Sequence, residues 1–120
     1  MVEGTTGVHP CRRVISGTEI VDMPARFDAA NADEVSAVLT DVIESGATRV
    51  VLNFELTTFV DSSAMSVLLL SMKAATRAGG RMVLASLSDD VRSIIELTRL
   101  HRVFPVVDDE AAAIASFDEA

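Results

Sequence analysis

The residues best placed to do chemistry are Asp61, Ser62 and Ser63. They put a carboxylate and two hydroxyls where an extended stretch, Val50 to Val60, meets the most apolar helical pattern in the chain. A serine at a helix start can cap backbone donors. A phosphate placed there would meet free N–H groups and the positive end of the helix dipole. The junction therefore reads as a phosphorylation switch.

Hydrolysis at the same serines is disfavoured. A nucleophile elbow needs G-x-S-x-G, and the residues two before and two after Ser62 are Val60 and Ala64. The only histidines, His9 and His101, are not placed by sequence to act as base, and with the single Cys11 they give no metal-ligand spacing. No G-x-G-x-x-G or G-x-x-x-x-G-K-[ST] occurs, so Gly79-Gly80 is read as a helix stop rather than a phosphate cradle. No cofactor, metal or catalytic residue is expected.

Composition narrows the partners. The formal charge is −8 and Lys73 is the only lysine, so no basic stripe exists for nucleic acid or an anionic membrane. Aromatics make up 4% of the chain, with no Trp or Tyr, which disfavours readers that stack bases. One cysteine cannot form an internal disulfide, and the first ten residues lack the basic and apolar regions of a leader, so the cytoplasm is the expected compartment. No stretch approaches the ~20 apolar residues of a membrane span. In the absence of a long apolar edge, a monomer is the default.

At 120 residues one domain is expected, with residues 1–10 as a loose lead-in and 11–120 as the domain. Arg12–Ile15 and Glu19–Met23, around Ser16-Gly17-Thr18, read as a hairpin or two edge strands. Asn31 is the predicted cap of a first helix, with Glu34 completing a capping-box-like pair and Val35, Val38, Leu39 and Val42 on one face. Gly46 ends it. The apolar run Val50-Val51-Leu52 suits a central strand covered on both sides. A second helix, from about Ser63 to Ala78, buries Met65, Leu68, Leu69 and Met72, with Val67 and Leu70 widening the stripe.

Met82–Ala85 is another strand, Ser88 caps a third helix, and Val103–Val107, weakened by Pro105, belongs at an edge. A final helix runs from Asp108-Asp109 to Phe117. Two strands followed by alternating helix and strand give an α/β layer fold with a mixed sheet.

The stretch from Val50 to Ala64, ending Val60-Asp61-Ser62-Ser63-Ala64, resembles the signature of STAS-domain anti-sigma-factor antagonists, in which "D-S-S-G" or "D-S-T-G" opens a helix. Pro24 to Ala30, Gly79 to Leu84 and Ile95 to Phe104 resemble further segments of that family in the same order, so the similarity covers about residues 11 to 117. A phosphoaspartate receiver resembles the chain only in size, because its late lysine has no counterpart here.

The resemblance implies the STAS fold, a mixed central sheet of about five strands with four to five helices. It also implies a partner switch. The unphosphorylated protein binds an anti-sigma factor that is a serine/threonine kinase, frees the sigma factor, and so regulates transcription indirectly. Phosphorylation inactivates it and a PP2C-type serine phosphatase restores it. By position, Ser62 is the phosphoacceptor, with Ser63 less favoured, and Asp28, Asp61, Ser63, Ala64 and Met65 form the partner surface. Ala64 and Ser66 stand where the family usually has glycine, so the Ala64 methyl is expected to crowd that surface. The alternatives are an accessory or scaffold STAS domain of a stress or lipid-transport complex, with Ser62 only a cap, and a small-molecule or nucleotide sensor using the loop before the first helix. Thr57 and Thr58 are weaker candidates for modification on an exposed loop.

Overall fold

The apolar run of residues 50–52 sits at the centre of the molecule because both of its faces are covered. In the computed structural model, which describes residues 7–118, this strand, β4 (Arg49–Asn53), is flanked by β2 (Thr18–Asp22) and β6 (Arg81–Ala85), both parallel to it. β1 (Cys11–Ile15) lies antiparallel outside β2, and β7 (Val106–Val107) lies parallel outside β6. The five-stranded order is β1-β2-β4-β6-β7, a mixed sheet of the α/β class.

The β1–β2 hairpin closes through two residues, Ser16 and Gly17. Both have positive φ, 51° and 79°, as the twist-matched two-residue turn requires. Pro105 precedes the short edge strand. Lacking an N–H, it still accepts from the Leu84 amide, at 2.9 Å.

Strand alternation divides the core in two. Val21, Val50, Leu52, Met82 and Leu84 point to one side, beneath α1 (Ala32–Glu44), α2 (Ser62–Arg77) and α3 (Asp89–Leu97). Ile20, Val51, Val83 and Ala85 point to the other side, where Ala113 and Phe117 from α4 (Glu110–Ser116) and its end cover them. Removing apolar area from water on both faces is what holds the sheet.

Several local expectations are corrected. The extended stretch from Val50 is broken after Asn53 by a turn at Glu55-Leu56 before β5 (Phe59–Val60). β5 pairs with β3 (Arg26–Phe27) as a separate two-stranded parallel ribbon. The final extended piece is also shorter, because Leu100–Arg102 close a 3₁₀ turn before β7. Leu70 is 66% exposed, so the buried stripe of α2 is narrower than predicted and runs through Ala64, Leu68, Ser71 and Ala75.

Of the predicted lead-in, residues 1–6 lie outside the described residues. Gly7 accepts from the Ala25 amide at 2.6 Å and His9 Nδ1 lies 2.7 Å from Glu34 Oε2. That pairing takes Glu34 away from Asn31. No capping box forms, and Asn31 instead accepts from the Asp28 amide (3.0 Å) and donates to the Arg26 carbonyl (2.6 Å), bracing the loop before α1.

Candidate functional site

Asp61, not a serine, caps α2. Its backbone is extended, at φ −125°, and its Oδ1 accepts the Ala64 N–H at 3.0 Å while its main-chain carbonyl accepts from Met65. Aspartate does this at least as well as serine, because a charged acceptor also meets the positive helix end. The expectation that Ser62 or Ser63 serves as cap is therefore corrected, and the Ser62 side chain is not committed to that task.

Ser62 is the first residue of α2 and is exposed, while Ser63 is half-buried. Ala64 is fully buried, so its methyl adds to the core and contributes no contact surface for a partner, against expectation. Met65 is half-buried and packs on the core. Among the described residues, the N–H groups of Ser62 and Ser63 have no protein acceptor, as expected of the first donors of a helix.

The second carboxylate oxygen of Asp61 accepts the Ala29 N–H at 3.1 Å, tying the loop before α1 to the start of α2. Asp28 occupies the same loop. Its Oδ1 accepts the Ala30 N–H at 3.0 Å and its Oδ2 lies 3.4 Å from Arg26 Nε. Asp28, Asp61, Ser62 and Ser63 are thus brought together at one end of the molecule, joined by the β3–β5 ribbon in which Arg26 faces Phe59 and Phe27 faces Val60.

Sequence reasoning missed Arg26 and Phe59. The guanidinium stacks 4.4 Å from the ring centroid, and both side chains face solvent while Phe27 and Val60 are buried. The only signal was one polar-then-apolar pair, Arg26-Phe27, and one apolar pair, Phe59-Val60, each too short to read as a strand. Thr57 is also corrected: it is fully buried, and its hydroxyl donates to the Pro24 carbonyl at 2.8 Å, whereas Thr58 is exposed.

A model of the STAS domain matches residues 10–113. The chain belongs to the STAS-domain family. This STAS domain is 31% identical over 106 residues to BtrV of Bordetella bronchiseptica, which is assigned as an anti-sigma factor antagonist; the match covers 88% of this chain and 91% of that one. It therefore falls in the anti-sigma-factor-antagonist family.

Two solved structures share its fold. An anti-sigma factor antagonist from Mycobacterium paratuberculosis superposes with a TM-score of 0.83 at 17% identity, covering 89% of this chain and 91% of that one. The phosphorylated form of the Bacillus cell-fate determinant SpoIIAA gives 0.69 at 22% identity, covering 89% and 98%. Among the described residues of this domain, no helix is long and apolar enough to cross a membrane.

Proposed function

We propose that this STAS domain works in a partner switch in the cytoplasm. As a monomer it binds an anti-sigma factor that is also a serine/threonine kinase, it is inactivated by phosphorylation of Ser62, and a PP2C-type phosphatase reverses the modification. It catalyses nothing itself. The observation that carries the reading is the exposed Ser62 hydroxyl, one residue past a cap that Asp61 already supplies, beside the loop that presents Asp28.

A phosphate there adds about −1.5 to −2 charges to a chain of net −8. It can rest near the free N–H groups of Ser62 and Ser63, so the fold survives while the docking face becomes strongly anionic. That a protein of the same fold, SpoIIAA, has been solved phosphorylated supports the idea that such a domain tolerates the group.

The test is incubation with candidate anti-sigma kinases and ATP, read by intact mass, peptide mapping and binding. One phosphate on Ser62 with loss of kinase binding is the expected result. Tight binding without transfer would make it a constitutive antagonist, and neither binding nor transfer would favour the scaffold alternative.

A further inference from the structure

The end of the molecule that carries Ser62 also carries an apolar surface that the switch itself does not require. Val8 is 53% exposed, Leu56 44% and Phe59 39%. They sit on adjoining segments: Ala25 bonds to Gly7 and to Thr58, Leu56 lies beside Gly7, and Arg26 covers Phe59. Between residues 7–8 and the loop before α1 opens a cavity of about 360 Å³, lined by Val8, Ala25, Arg26, Asp28, Ala30 and Asn31.

We infer that this cavity and the Val8–Leu56–Phe59 surface form an anchor site for the kinase partner, taking one apolar side chain flanked by a carboxylate that pairs with Arg26. The inference rests on the partner-switch reading and names the chemistry of the segment recognised. Three observations carry it. Exposed apolar side chains grouped in one place mark interaction surfaces, and an Arg stacked on an aromatic ring has the composition of an interface hot spot. Val8, Ala25 and Ala30 give the cavity apolar walls and the Asn31 side chain is already bonded to the Asp28 amide and the Arg26 carbonyl, while the Arg26 guanidinium, 3.4 Å from Asp28, is open to a second carboxylate. The Ala29–Asp61 bond ties the loop that lines the cavity to the start of α2, where Ser62 lies, so one partner can cover both.

The test measures the affinity of the cognate anti-sigma kinase for wild-type protein, wild-type protein phosphorylated on Ser62, and the variants Val8→Asp, Ala30→Phe and Arg26→Glu, with Leu97→Asp as an exposed apolar control elsewhere. Thermal melts confirm folding. Each of the three variants is expected to weaken binding about tenfold or more, as hot-spot changes do, and the control to leave it unchanged. If phosphorylation releases the kinase but the three variants bind within twofold of wild type, the anchor site is wrong and the switch stands. If unmodified wild type binds no kinase, the switch reading fails and the anchor site with it. Wild-type protein that sediments as a dimer and dissociates on Ala30→Phe would place a second copy of the chain in the cavity and overturn the inference as stated.

Discussion

The carboxylate of Asp61 accepts the backbone N–H of Ala29 at 3.1 Å, across 32 residues of sequence, while its other oxygen caps α2 through Ala64. One side chain thus sets the helix start and the neighbouring loop at once. Asp61→Ala should lower unfolding free energy by about 1–2 kcal/mol, from the lost cap and the unpaired loop amide. Asp61→Asn has a single acceptor oxygen and is expected to keep the cap and release the loop. Hydrogen exchange should then accelerate at Ala29 but not at Ala64; equal acceleration at both would mean that the carboxylate charge, not the geometry, holds the pair.

A second clamp lies on the α4 side of the sheet. Arg13 pairs with Asp22 at 2.7 Å and with Glu110, whose carboxylate also accepts from Asn53 Nδ2 at 2.9 Å. Asn53 in turn accepts the Glu55 N–H at 2.8 Å, where the chain turns toward β5. The hydrogen bond from Arg13 holds the Glu110 carboxyl below the usual glutamate range. A depressed folded value stabilises the protein above the unfolded value, and that contribution disappears as pH falls through the folded one. Glu110→Gln should therefore cost about 1 kcal/mol or less at neutral pH, given partial exposure. In denaturant titrations, the gap from wild type should close as pH falls below the usual glutamate range. A gap that stays constant with pH would assign the loss to packing.

The parts of the fold written in the chain were those whose pattern is long or chemically specific. The covered run of residues 50–52, the spacing of Val35, Leu39 and Val42, the Ser16-Gly17 turn and the Ser88 cap all carry their own signal, and each stands where its pattern placed it. The Asp61-Ser62-Ser63 junction was legible as a helix start, but not which residue caps it. All three side chains can cap, and the choice depends on the Ala29 amide arriving from 32 residues away. The Asn31–Glu34 box failed in part for a similar reason, since Glu34 is taken by His9 from 25 residues away, while Asn31 turns to the Asp28 amide three residues before it. The β3–β5 ribbon, two residues per strand, is made wholly by tertiary contact.

The two glycines that end α2 should respond differently to substitution. Gly79 has φ +83° and open space where a side-chain methyl would go, whereas at Gly80 a Cβ would lie 3.1 Å from Thr48 Cα and 3.3 Å from the Ala47 and Thr48 carbonyl oxygens. Gly79→Ala is expected to cost about 1 kcal/mol from left-handed strain, and Gly79→Asn to recover much of it, because asparagine tolerates that region. Gly80→Ala should cost about 1–2 kcal/mol by pressing on the backbone of Ala47 and Thr48, and Gly80→Asn should be no better. Thermal unfolding of the four variants decides it, and rescue by asparagine at Gly80 would refute the steric account.

Ser62→Ala separates the structural from the regulatory role of the hydroxyl. Because Asp61 supplies the cap and Ser62 is exposed, the substitution should change stability by no more than about 0.5 kcal/mol, helped by the higher helix propensity of alanine. A serine that capped the helix would instead lose about 1 kcal/mol on the same change. In the partner switch, the variant should bind the kinase as wild type does, accept no phosphate, and remain bound when ATP is added. Denaturant melts and a binding assay with and without ATP read the two roles independently. A large stability loss would return Ser62 to the capping role, and release of Ser62→Ala by ATP would place the acceptor at another hydroxyl, with Ser63 the first to map.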